Sequence, residues 1–200
     1  MPTIIETGFE RRLRALAWRP ALAFMAALTE RLLPNYRLWA ALEEAGDVHG
    51  VRSILDLVWE TLAVRDVHID FTRQAEKLAA CEPLADDSFG ARAAADLTAA
   101  LSACMDALCK NAVEAPQEVS RLSIGGVERF IEMQAGASIG DDDQREALID
   151  AHDLMADERA FQLAVLEALE GQPLDRERLR EIRTLGCNEG ISNLGIGAEE

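Results

Sequence analysis

Between Val48 and Val64 the sequence sets Ile54, Leu55, Leu57, Val58, Trp59 and Leu62 around most of the circumference of a helix. Such a helix is stable only when others surround it, because each large apolar side chain left in water forfeits about 1.5–3 kcal/mol of burial. The remaining chain has the composition to supply those neighbours. Its apolar share, 49%, comes mostly from Ala and Leu rather than from the β-branched and aromatic residues that strands favour. No run of alternating β-branched residues marks a strand, and no Pro/Gly/Ser-rich or low-complexity stretch divides the chain. The expected fold is all-α: a single-domain bundle of about eight or nine helices over residues 1–200, with no sheet and no repeat of fixed period.

The pattern places a first amphipathic helix from about Ile4 to Trp18, with Phe9, Leu13, Leu16 and Ala17 on one face and Arg11, Arg12 and Arg14 off it. Pro20 suits the first turn of a second helix, Ala21 to Leu33, which Pro34 is expected to stop. A third runs from about Asn35 to Ala45, and Gly46 supplies a stop before Asp47 caps the fourth, Val48 to Val64. Further helices are expected from Asp70 to about Cys81, Phe89 to Asn111, Pro116 to about Ala135, Asp141 to Leu169, and Asp175 to Leu185. Gly125-Gly126 inside the seventh costs on the order of 1 kcal/mol per glycine, which a kink or a close helix crossing would explain. The tail from Gly186 to Glu200 carries Ser192-Asn193-Leu194-Gly195-Ile196-Gly197, too apolar for a merely disordered end. It is expected to dock on its own bundle or on a second subunit.

Charge is lopsided, with 36 acidic against 20 basic residues and a formal net charge of −16. The first forty residues hold six arginines and three glutamates, so the remainder carries 14 basic against 33 acidic groups. That balance argues against nucleic acid and anionic lipid as partners. Cys81, Cys104, Cys109 and Cys187 form no C-x-x-C and have no histidine at zinc-finger spacing, which points to reduced thiols, buried or half-buried, in a reducing compartment. Arg11-Arg12 followed by apolar residues suggests an export signal at first sight. Arg19-Pro20 interrupts that stretch and Ala21 to Leu28 is too short to span a bilayer, so a cytoplasmic location is expected.

Few constellations carry chemistry. Asp56 and Glu60 lie four residues apart on the most apolar helix, so both carboxylates point the same way. Buried there, they are either a metal-ligand pair or general base, or the acidic half of an internal ion pair with Arg52 one turn earlier or Arg31 on another helix. Asp141, Asp142 and Asp143, followed by Glu146, Asp150, Asp153, Asp157 and Glu158, read as a dipole-stabilised helix start and a solvated acidic face, or as a divalent-cation site or a surface for a basic protein. Asp86-Asp87-Ser88 caps the next helix or forms a paired-carboxylate site. His49, His68 and His152 are scattered and read as surface or cap residues. Glu-x-x-His pairs, Walker A, G-x-G-x-x-G, G-x-S-x-G and H-E-x-x-H motifs do not occur, and Glu167 and Glu170 supply only half of one paired acidic motif. No metal and no cofactor is expected.

Five stretches resemble the YjaG-like family, small bacterial proteins grouped as a domain of unknown function: Phe24 to Tyr36 (FMAALTERLLPNY), Ile54 to Glu60 (ILDLVWE), Ala85-Asp86-Asp87, Ala112-Val113 with Glu118-Val119-Ser120, and Ser192 to Ile196 (SNLGI). Ser88 to Asp96 departs from the family's tyrosine- and proline-containing pattern. The resemblance implies an all-helical cytoplasmic fold and brings no established catalytic residue. It draws attention to Glu30, Arg31, Asn35, Tyr36, Trp59, Glu60, Asp86, Asp87 and Asn193, to which the helix pattern adds Asp56. Two functions stay open: a non-enzymatic interaction or regulatory protein, expected as a homodimer with a possible protein partner, or a metal- or small-ligand-dependent enzyme using Asp56/Glu60 and Asp86/Asp87.

Overall fold

The computed structural model describes residues 4–64, 67–84, 88–110, 112–136, 141–171 and 173–197, without the side chains of residues 4–7 and 110. The helices are α1 (Ile4–Arg14), α2 (Trp18–Glu43), α3 (Val48–Ala63), α4 (Phe71–Ala79), α5 (Phe89–Lys110), α6 (Ala115–Ala135), α7 (Asp142–Asp150), α8 (Asp153–Leu169) and α9 (Arg176–Cys187). A 3-10 turn at Asn188–Gly190 follows, and an isolated bridge between Ile191 and Gly197 is the nearest approach to a strand among the described residues. The all-α expectation holds. No helix among those described is long and apolar enough to cross a membrane.

The central helix is α2, and this corrects the reading that put Val48 to Val64 in the middle. Every residue from 22 to 36 is buried, whereas α3 keeps a wet side at Ser53, Asp56, Leu57 and Glu60. Pro34, expected as a stop, lies inside α2. Its ring removes one backbone bond and costs about 3 kcal/mol in an ordinary helix interior. Burial of Leu32, Leu33, Tyr36 and Trp39 along one continuous rod offsets that loss. The rod ends at Glu44, in a left-handed conformation whose N–H returns to the Ala40 carbonyl. Gly46 follows at φ +73°, where a Cβ would fall 2.5 Å from the Tyr36 hydroxyl, so only glycine fits there.

A second correction concerns Asp141 to Leu169, expected as one helix and observed as two. The break falls at Ala151-His152, where His152 Nδ1 accepts the Leu154 N–H and caps α8. Asp47, Asp70, Asp141 and Asp175 cap α3, α4, α7 and α9 by accepting backbone N–H bonds three residues on. Gly186 lets α9 cross α2 at close range, since a Cβ there would lie 2.8 Å from the Ala27 carbonyl oxygen. At the far end, Leu194 packs with Val127, Ile131, Ile149 and Met155 in a satellite core, and Ser192 Oγ accepts the Leu194 and Ile196 N–H groups. The tail to Gly197 is thus fastened to α6, α7 and α8. Cys81 and Cys104 are buried, while Cys109 and Cys187 are exposed, and all four are free thiols.

Candidate functional site

Glu30 and Arg31 are neighbours on α2, so they leave the helix about 100° apart and meet different partners. Each becomes the centre of one buried polar cluster.

Glu30 faces α3 and α9. Its Oε1 accepts from Trp59 Nε1 at 2.8 Å and Arg52 NH2 at 2.8 Å, with Arg183 Nε at 3.2 Å, and its Oε2 accepts from Arg52 NH1 at 2.5 Å. With these four contacts and almost no solvent exposure, the Glu30 carboxylate is committed to Trp59 and the two arginines. Arg52 also reaches Asp56 at 2.8 Å, and Arg183 bonds Asp56 while its guanidinium stacks 5.9 Å from the Trp59 ring centroid. Asp56 therefore stands in an ion pair with Arg52, one of the partners foreseen, together with Arg183, which was not. It is half-exposed rather than buried, and Glu60 is exposed, so the expectation of two buried carboxylates is corrected: α3 turns that side to water. Partial burial of the sulfur and the charge of Glu30 push the Cys187 thiol, at the end of α9, above its ordinary value.

Beyond Asp56 the two helices leave a cleft of about 320 Å³. Asp56, Trp59, Glu60 and Ala63 line it from α3, and Arg176, Leu179, Arg180 and Arg183 from α9. The spacing of four and seven residues puts each set on one helical face.

Arg31 faces α8. Its guanidinium lies 4.1 Å above the centre of the Phe161 ring and its Nε is 3.3 Å from Glu158 Oε2. Glu158 has no solvent exposure, and its other oxygen accepts from Ser123 Oγ at 2.7 Å and Gln162 Nε2 at 2.8 Å. Burial drives its carboxyl upward against the opposing pull of Gln162, Arg31 and Ser123. Asn193 extends the cluster to the tail: its Nδ2 donates to the Ser123 carbonyl at 3.1 Å while its Oδ1 accepts from Asn35 Nδ2 at 2.9 Å. One network thus joins α2, α6, α8 and the tail.

Tyr36 belongs to neither cluster. Its hydroxyl donates to the Cys81 carbonyl and accepts the Asp47 N–H, tying α2 to the end of α4 and the start of α3. Asp86 and Asp87 lie outside the described residues. Among those described, no group of three or more His, Cys, Asp or Glu is placed to hold a metal ion. The acidic run after Asp141 is divided: Asp141 caps α7, Asp150 pairs with Arg159, and Glu158, assigned to a solvated face, points inward, while Arg145 within the run pairs with Glu132 of α6. A polar residue at a core position was the available signal for Glu158, because Met155, Phe161, Gln162 and Val165 share its stripe. Arg183 offered a weaker signal, one residue from buried Ile182.

Residues 8–197 match the model of a family described as "Protein of unknown function (DUF416)". The chain belongs to the DUF416 family. Its relatives include an uncharacterized protein of Haemophilus influenzae, 34% identical over 197 residues, with 96% of this chain and 98% of that protein covered. Uncharacterized protein YjaG of Escherichia coli is 32% identical over 197 residues, with 96% and 98% covered. A crystal structure of a DUF416 family protein from Shewanella baltica superimposes with a TM-score of 0.87 at 27% identity, covering 94% of this chain and 97% of that one. The helical fold is thus common to both DUF416 proteins across nearly their whole length.

Proposed function

We propose that this DUF416 chain is a non-enzymatic interaction protein that works as a homodimer in the cytoplasm. The observation that carries the reading is an apolar groove of about 130 Å³ where α1 and α2 meet the ends of α5 and α6. Leu16, Ala21 and Ala112 line it over a buried floor of Leu13, Leu22, Met25 and Pro116, Arg14 stands at its edge, and Trp18 and Val113 form its rim with 59% and 67% of their surface exposed. A protruding aromatic residue beside an apolar recess on the same face is what a two-fold contact needs, each copy seating its Trp18 in the other. Charge supports the second copy as occupant. The chain is strongly acidic and two copies repel over most of their surface, but at this end Arg12 and Arg14 neutralise Glu170 and Glu114. The four free thiols suit a reducing cytoplasm.

The competing reading, an enzyme built on Asp56/Glu60 and Asp86/Asp87, is weakened at its first pair. Two arginines occupy Asp56, an arrangement that locks helices together instead of holding a metal or polarising water. Light scattering at micromolar concentration tests the homodimer. The expected mass is twice that of the chain, falling to one copy in Trp18→Glu, and a strictly monomeric wild-type protein would overturn the proposal.

A further inference from the structure

The α3–α9 cleft is a ladder of opposite charges closed at one rung and open at the next. At the inner rung Arg183 bonds Asp56 and the helices are clamped. One turn outward along each helix stand Glu60 on α3 and Arg180 on α9, and a further turn brings Ala63 and Arg176. Glu60, Arg176 and Arg180 are exposed and make no ion pair among the described residues. Between them lies the cavity of about 320 Å³, floored by Trp59, Ala63 and Leu179. In a protein of net charge −16, three arginines on one wall of a cleft are a local exception to the surrounding field.

We propose that the open end of this cleft binds a small zwitterion of the amino-acid class with an apolar side chain. Each wall assigns one part of the ligand. Arg176 and Arg180 offer forked N–H donors that match a carboxylate, and Glu60 on the facing wall accepts an ammonium group. Ala63 and Val64 provide the apolar surface on which the side chain rests, above nearly buried Trp59 and Leu179, and the Trp59 indole N–H is already committed to Glu30. The cavity stands at the low end of the roughly 300–1,000 Å³ range of small-molecule sites, a size that accommodates an amino acid. A plain dianion meets Glu60 and Asp56 as repulsive neighbours, whereas a zwitterion completes the rung that the helices leave unmade. This site is separate from the Trp18 groove, so it goes beyond the interaction reading.

Titration calorimetry on the full chain tests it with leucine and phenylalanine as zwitterions, N-acetylleucine as the anion, leucinamide as the cation and N-acetylleucinamide as the neutral form. Leucine or phenylalanine is expected to bind at least about tenfold more tightly than either singly charged analogue, and the neutral form not at all. Arg180→Glu is expected to abolish binding of both amino acids. Glu60→Gln is expected to weaken the amino acids about tenfold while sparing N-acetylleucine. Both substitutions replace exposed side chains, and unchanged circular dichroism verifies each variant. N-acetylleucine binding as tightly as leucine would make this a simple anion site and overturn the assignment. So would absence of binding of both amino acids at about 10 mM, or binding that survives both substitutions. Subunit number is read from mass and ligand affinity from heat, so the homodimer proposal and this one fail independently.

Discussion

Arg31 and Glu158 meet at 3.3 Å through Nε and Oε2, in a part of the bundle where the carboxylate has no contact with water. The contact is electrostatic, since neither atom has a hydrogen-bond partner, and the guanidinium rests on Phe161. Glu158→Ala would leave Arg31 charged in the interior, 7% exposed, with Ser123 and Gln162 each short of an acceptor. Urea unfolding is expected to show a loss of about 3–5 kcal/mol. The double replacement Arg31→Met, Glu158→Leu removes both charges and is expected to be more stable than Glu158→Ala. Equal stabilities would mean that the pair is not the source of the cost.

Gly186 sits against the backbone of Ala27, and that contact has no side chain able to move aside. Gly186→Ala brings a Cβ to 2.8 Å from the Ala27 carbonyl oxygen and 2.9 Å from its Cα, so α9 must shift away from α2. A loss of about 1–3 kcal/mol in thermal or urea unfolding is expected, opposite in sign to the usual gain from replacing a helical glycine. An unchanged or higher Tm would show that the helices are not in close contact there.

Asp96 lies largely buried beside Arg129, and burial lifts its carboxyl from 3.8 to about 6 against the pull of that arginine. The native state therefore holds a proton that the unfolded chain has already released between those values, and this group's contribution to stability falls as pH rises from about 4 to 6. Asp96→Asn removes the effect. Relative to wild type, the variant is expected to gain about 2 kcal/mol between pH 4 and pH 7, whatever offset the lost Arg129 contact adds at both. Parallel stability curves for the two proteins would refute the assignment.

Arg52 and Arg183 both serve Glu30, but not equally. Arg52 makes two bonds to it and is the more enclosed, whereas Arg183 approaches at 3.2 Å from a more exposed position. Arg52→Met is expected to cost about 3 kcal/mol, because Glu30 keeps its burial and loses its main counter-charge. Arg183→Met is expected to cost about 1 kcal/mol, closer to a surface pair. Urea unfolding of the two variants checks the order, and a larger loss for Arg183→Met would make Arg183 the main counter-charge instead.

Local residue patterns were enough to establish that the chain is all helix, where most helices start, and which family it resembles. Ala and Leu at helical spacing, and aspartates such as Asp47, Asp70 and Asp175 at the N-caps, act through residues three or four positions away. The same reading singled out Glu30, Arg31, Asn35, Trp59 and Asn193, which the fold gathers into two buried clusters. Which helix stands at the centre was settled by long-range packing. A helix judged by its own residues favours α3, yet α2 is the one surrounded on all sides, because its buried Glu30, Arg31 and Asn35 find Arg52 and Arg183, Glu158, and Asn193 on other segments. Those partners lie from 22 to 158 residues away along the chain. No helical period connects them, so the neutralisation that makes α2 buriable, and that adds Arg183 to the Arg52–Asp56 pair within α3, exists only once the helices have packed.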